Sequence, residues 1–266
     1  MDLFLLDPIL RNALAEDIGT GDVTTAATIE AGSMAGAELV AKEDFVLAGM
    51  PVAQRVFHLL DANIAFERGD VLAWLKGSSA VLLQGERVAL NLLQRLSGVA
   101  TLTRRFVDEI AGTNATIVDT RKTTPGLRLL EKYAVRMGGA GNHRMALYDG
   151  VLIKENHVVA AGGIASAVER AKRSVPHTLK IEVEVRDLDE VRQALDAGAD
   201  ILLLDNMNTS QLRAAVELVG DRAETEASGG VNLETVREIA ETGVKLISVG
   251  ALTHSYRSVD ISMLFT

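Results

Sequence analysis

From residue 115 to residue 250, short apolar runs alternate with amphipathic stretches, and no other feature of the chain restricts its fold as much. Ala115–Asp119, Gly150–Lys154, Lys180–Val185, Ala199–Asp205, Ala223–Ser228 and Val244–Gly250 read as strands. Between them, Leu127–Met137, Ile164–Ser174, Leu188–Ala197, Ser210–Val219 and Leu233–Thr242 read as amphipathic helices. Asp187 and Asn232 stand where helix N-caps belong, and Gly198 and Gly243 where helices stop. Strands repeatedly joined through helices must run parallel, because the chain returns over the face of the sheet before the next strand. The expected fold is therefore α/β, a parallel α/β barrel of the TIM-like kind or an incomplete form of it. Aromatic residues make up only 4% of the chain, so its core must rest on Leu, Ile, Val and Ala, the residues that fill such barrels.

The first half reads differently. Met34–Gly49 and Ala62–Gln84 hold short alternating runs broken by Gly49, Gly69-Asp70 and Gly77-Ser78-Ser79, the signals of an antiparallel sheet. Gly19-Thr20-Gly21-Asp22 is suited to ending and redirecting an N-terminal helix, and Glu86–Ile110 has helical spacing of Leu90, Leu93, Leu96 and Val99. We divide the chain into a smaller N-terminal α+β sandwich domain over 1–98, a barrel over 99–255, and a tail, 256–266, that returns to the first domain.

Cysteine is absent, which removes disulfides, thiol nucleophiles and Cys-ligated metals. No apolar run approaches the ~20 residues of a membrane span, and the acidic N-terminus does not resemble a secretory signal. A cytoplasmic protein is the expectation. A net charge of −9 argues against a nucleic-acid partner. Yet from Arg121 to His157 seven basic residues face three acidic ones. Arg128, Lys132 and Arg136, at helical spacing, fit a solvated helix face. Arg121, Lys122 and Lys154 sit beside strands and fit an anion site better. Pro125 is preset for a helix's first turn, where free backbone N–H groups would favour an anion.

The polar residues collect at one end of every strand, the end that carries chemistry in α/β barrels. These ends offer Asp119-Thr120-Arg121-Lys122, Lys154-Glu155-Asn156-His157, Glu184, Asp205-Asn206, Ser228-Gly229-Gly230 and Ser248-Val249-Gly250. In Ile181–Val185 the two glutamates share a face, so both Glu182 and Glu184 should point into the barrel, where a cation or a metal must compensate them. For Glu182 a purely structural ion network is an equal alternative. A glycine-rich turn, Gly138–Gly141, delivers His143-Arg144 next to this end.

The motifs DTRKTTPG, GGAGNHRM, VLIKENH, IEVEV, LLLDNM, EASGG and LISVGALTH, in this order, resemble the quinolinate phosphoribosyltransferases, the decarboxylating nicotinate-nucleotide pyrophosphorylases. EDIGTGDVTT and GERVALNLLQRLSG extend the resemblance through nearly the whole chain. It implies transfer of phosphoribosyl from phosphoribosyl pyrophosphate to quinolinate with loss of carbon dioxide, forming nicotinate mononucleotide and pyrophosphate in de novo NAD synthesis. It also implies that Arg121, Arg144 and Lys154 grip carboxylates and phosphate, with Thr120, Lys122 and His143 beside the ligands. Glu184 and Asp205 would lie near the ribose hydroxyls and the Mg2+ that accompanies pyrophosphate, as ligands directly or through water. Lys122, Glu184 and Asp205 are thus the implied catalytic residues. Ser228-Gly229-Gly230 and Ser248-Val249-Gly250 would cradle the 5′-phosphate.

Arg87 would reach the site of a neighbouring subunit in a homodimer or higher oligomer. A cation in a helix's first turn opposes the helix dipole, which is compatible with a role outside that helix; a plain surface position is equally compatible. Ala140, Ala146 and Tyr148 depart from the small residues and glycines the motif leads one to expect. A sister branch tied to molybdate transport usually lacks an acid at the position of Asp119, which favours the NAD-pathway branch. A nicotinate-specific transferase, a phosphate-ligand sensor and an aldolase-type barrel are the rival readings.

Overall fold

The computed structural model describes residues 2–69 and 71–266; Met1, and Asp70 of the Gly69-Asp70 turn signal, lie outside the described residues. By internal contacts the chain forms two units, one of residues 1–102, 125–138 and 256–266, the other of 103–124 and 139–255.

The N-terminal part contributes α1 (Leu3–Ile18), α2 (Val23–Thr28), β1 (Met34–Ala41), α3 (Met50–Leu60), β2 (Ala65–Glu67), β3 (Ala73–Ser78) and α4 (Ser79–Glu109). Gly19, at φ 51°, closes α1, and the Asp22 carboxylate accepts from the Thr25 amide to cap α2. Asp7 on α1 takes both Nε and Nη2 of Arg55 on α3, at 2.8 and 2.6 Å. α4 begins at Ser79 rather than at Glu86, so Arg87 sits well inside the helix and not in its first turn. The dipole argument for Arg87 therefore lapses. Gly85 hides the continuity of this helix in the sequence; it is needed because a Cβ there would come within 2.7 Å of the Phe57 ring.

The remaining elements are β4 (Thr116–Val118), α5 (Arg128–Met137), β5 (Val151–Ile153), α6 (Glu155–Ala161), α7 (Ile164–Ser174), β6 (Ile181–Val185), α8 (Leu188–Asp196), β7 (Ile201–Asp205), α9 (Thr209–Val219), β8 (Glu224–Ser228), α10 (Val236–Ala240), β9 (Leu246–Ser248), α11 (Ala251–His254) and β10 (Ile261–Phe265). In the first unit β10, β1, β3 and β2 lie side by side in an antiparallel sheet. Its inward face includes Ala37, Leu39, Ala73 and Leu75, each nearly or wholly buried.

In the second unit the strands run β4-β9-β8-β7-β6-β5, all parallel. Helices follow them, with Val168, Val191, Ala194 and Ala215 fully buried. Among the described residues the barrel stays incomplete: β5 and β4 are the terminal strands in the order, and beyond β9 the β4 strand adds a single bridge from Val118 to Gly141.

Three expectations need correction. Pro125 does not open a helix, because α5 starts at Arg128 and the intervening Gly126 has φ 81°. The helix start expected at Pro125 is therefore absent from the Arg121–Thr124 segment's own continuation. Lys132 is not on a solvated face: it is 1% exposed, beside a buried Glu131 whose carboxylate pairs with Arg95 at 2.5 Å. Asn232 accepts from the Glu234 and Thr235 amides, but it organises a turn that precedes a shorter α10.

Candidate active site

A cavity of about 500 Å3 opens at the C-terminal ends of the strands. Thr120, Arg121 and Lys122 line it after β4, Lys154 after β5, Glu184 on β6 and Asp205 on β7. Ser228, Gly229 and Gly230 line it from β8, Ser248 from β9, and His143-Arg144 from the segment beside β4. Among the candidates, Arg87, Val249 and Gly250 do not line it. Arg87 is an exposed residue of the first unit. The Val249 amide already donates to the Val118 carbonyl at 2.9 Å, and Gly250 accepts from Thr253.

Local bonding explains why these residues meet. Thr120 Oγ1 accepts from the Lys122 amide at 3.0 Å, turning the chain as β4 ends, and Thr253 Oγ1 donates to the Lys122 carbonyl at 2.8 Å. Asp119, fully buried, accepts from Asn142 Nδ2 at 2.7 Å and from the His143 amide at 2.9 Å. That carboxylate thereby pins the glycine-rich segment to the barrel. Gly229 and Gly230 have φ 97° and 63°, and a Cβ on Gly229 would lie 2.2 Å from Asn206 Oδ1. Successive amides in such left-handed turns form a concave anion nest. His157, the last residue of the basic stretch, caps α6: its Nδ1 accepts from the Lys154 amide at 2.9 Å.

The electrostatics favour a ligand of multiple negative charge. Arg144 Nη1 donates to the Gly150 carbonyl at 2.9 Å, whereas its buried Nε finds no protein acceptor. Burial and then the nearby Arg121 guanidinium both lower the Arg144 pKa, with Glu182 opposing them. Two guanidinium groups held against their own repulsion call for an anion between them. Lys154 Nζ pairs with Glu184 at 3.0 Å.

Both glutamates of β6 do point inward: Glu182 is buried and Glu184 half-buried. Glu182 finds its partner in His143, whose Nε2 lies 3.1 Å from it, rather than in a lysine or arginine. The same Nε2 is 3.8 Å from Glu226 on β8, a buried carboxylate that our sequence reading did not single out. The signal was present, because Glu226 and Ser228 share a strand face just as Glu182 and Glu184 do. Burial first, then Glu182, raise the Glu226 pKa to about 7, with the Ser248 hydroxyl and Lys154 opposing them. A second cavity, about 610 Å3, lies toward the other ends of the strands and shares His143, Arg144 and Glu226 with the first. It lacks Arg121, Lys122 and Lys154, and we take the 500 Å3 cavity as the site for that reason. Tyr148, one of the departures from the motif, is 76% exposed.

The C-terminal domain model of quinolinate phosphoribosyl transferase matches residues 99–264, and the N-terminal domain model of the same family matches 22–97. The chain belongs to this family. It is 45% identical to a probable nicotinate-nucleotide pyrophosphorylase [carboxylating] of Bacillus subtilis (strain 168), over 99% of this chain and 94% of that one. A quinolinate phosphoribosyltransferase [decarboxylating] 2b, mitochondrial, of Nicotiana tabacum is 41% identical over 97% and 81% of the two chains. The crystal structure of NadC from Streptococcus pyogenes superposes with a TM-score of 0.96 at 40% identity, covering 100% of this chain and 98% of that one. The two family models together thus span residues 22–97 and 99–264, both domains of the family included.

Proposed function

We propose that the chain transfers the phosphoribosyl group of phosphoribosyl pyrophosphate to quinolinate, with decarboxylation, giving nicotinate mononucleotide, pyrophosphate and CO2. The observation that carries this reading is the Arg121–Arg144 pair, an exposed guanidinium repelling a half-buried one whose Nε is unclaimed. A dicarboxylate satisfies two guanidinium groups at once; a monocarboxylate such as nicotinate leaves one of them without its counter-ion.

In this reading Arg121, Arg144 and Lys154 orient the ring so that its nitrogen faces C1 of the ribose. The Ser228–Gly230 turn receives the 5′-phosphate, and Lys122 neutralises charge on the departing pyrophosphate. Glu184 and Asp205 lie where positive charge develops on the sugar and stabilise it. The new C1–N bond forms as the C1–O bond breaks, which leaves the ring nitrogen cationic. That cation then draws the electron pair released as CO2 departs, and a proton fills the vacated ring position.

Mg2+ belongs to the same proposal. Glu184 and Asp205 present carboxylate oxygens, the hard donors it prefers, on one cavity wall, and would hold it directly or through water; when bound it supplies charge neutralisation to the pyrophosphate. A homodimer or larger assembly in which Arg87 serves the neighbouring site, and residence in the cytoplasm, complete the reading. Among the described residues, no helix is long and apolar enough to cross a membrane.

The deciding experiment supplies purified protein with quinolinate, phosphoribosyl pyrophosphate and Mg2+. Release of CO2 together with nicotinate mononucleotide is expected. Turnover of nicotinate but not quinolinate would overturn the substrate, and binding without any product would favour a sensor.

A further inference from the structure

The His143–Glu182–Glu226 cluster at the floor of the cavity raises a question of charge. Its three donor atoms lie within 4.8 Å of one another, a spacing that would suit a metal ion. The histidine decides against one. His143 Nδ1 accepts a hydrogen bond from the Arg144 amide at 2.7 Å, so that nitrogen carries a lone pair and no proton. The ring proton must then sit on Nε2, the atom nearest both carboxylates, and Nε2 cannot be a ligand while it holds a proton.

A neutral imidazole has one N–H to give. It goes to Glu182 at 3.1 Å, leaving Glu226 Oε1 at 3.8 Å, buried and without a partner. Two adjacent buried carboxylates that share one imidazole N–H cannot both stay ionised at low cost, even with the Ser248 hydroxyl beside Glu226. The groups that face Glu226 are Glu182 on β6, His143 from the segment beside β4, the Ser248 hydroxyl on β9 and Lys154 at the start of α6; β7 offers only Leu203 as its neighbour in register. Lys154 is already engaged by Glu184.

We infer that Glu226 is a positioning residue that keeps its proton in the working enzyme, so that Glu182 is the one anion on His143. The chain of bonds from Glu182 through the imidazole to the Arg144 amide then fixes the arginine that meets the dicarboxylate. With Glu226 protonated, Arg121, Lys122, Arg144 and Lys154 outnumber Glu182, Glu184 and Asp205 by one; its ionisation would cancel that excess in the very pocket that must accept a dianion. This rests on quinolinate being the substrate.

The test compares KM for quinolinate and kcat across about pH 6 to 9, at saturating phosphoribosyl pyrophosphate, for the native enzyme and Glu226→Gln. The native KM should rise on the order of tenfold as Glu226 loses its proton, with kcat changing much less. The glutamine variant, a permanent mimic of the neutral acid, should keep a low and flat KM. A parallel rise in the variant would overturn the proposal. So would loss of kcat at every pH with KM unchanged, which would make Glu226 the proton donor to the ring carbon instead. A second measurement needs no variant: calorimetric binding of quinolinate to the native enzyme at about pH 8, in two buffers of different ionisation enthalpy, should reveal proton uptake. Its absence would overturn the proposal. Failure of the native enzyme to turn over quinolinate at any pH would instead overturn the substrate reading, and this inference with it.

Discussion

Glu226 shows how much a single buried residue can carry. Its folded-state pKa, about 7, lies above the ordinary 4.5. Between those values the folded chain holds a proton that the unfolded chain has released. Stability therefore falls as pH rises through this window, by up to about 1.4 kcal/mol per pH unit. Glu226→Gln removes the penalty, so the variant should melt higher than the native protein at pH 8. The difference should shrink towards pH 5, where both side chains are neutral in the folded state. Thermal melts at the two pH values check this, and a pH-independent difference would count against it. Asp119 is the companion case. The sequence marked it as an acid before a basic pair and as a sign of the branch, whereas the fold uses both of its oxygens to hold Asn142 and His143. No local pattern reveals such a contact, because the partners are more than twenty residues apart.

Among the elements, the strands of the second half were legible because each is a short apolar run ending in polar residues, and all six form close to where the pattern puts them. Helix α4 was only partly legible. Gly85, which propensity reads as a weak point, lies inside it because the Phe57 ring occupies the space a side chain would need. Gly85→Ala should therefore destabilise the protein by about 1–3 kcal/mol, although alanine is the better helix former. Urea denaturation measures this, and a stabilised variant would show that Phe57 moves aside at little cost. Helix α5 was legible in its periodicity but not in its surroundings: Lys132 repeats with Arg128 and Arg136 as a solvated cation would, and is nevertheless buried.

For the whole molecule, the incomplete barrel gathers twelve of the fifteen candidate site residues around one cavity. Arg87, far from them in sequence and placed in the other unit, is the residue whose proposed role needs a second subunit. Mixing inactive Arg87→Ala and Lys122→Ala proteins tests this. If each site joins Lys122 of one subunit to Arg87 of its partner, every mixed dimer regains one native site. Equal mixing should then restore about a quarter of native activity. No recovery, with mixed dimers verified by mass, would confine Arg87 to the surface role that its exposed position also allows.

The six strands of the second half, the end of the sheet that bears chemistry and the cationic character of that end were determined by the sequence alone. They follow from local periodicity and from residue types at strand ends, which act over a few residues. Tertiary structure alone decided the rest. It paired Glu182 with a histidine rather than a lysine or arginine, brought Glu226 into the same cluster, buried Lys132 and removed the helix N-terminus expected at Pro125. Each of these depends on which distant groups share a volume too small and too dry for water to keep their charges apart.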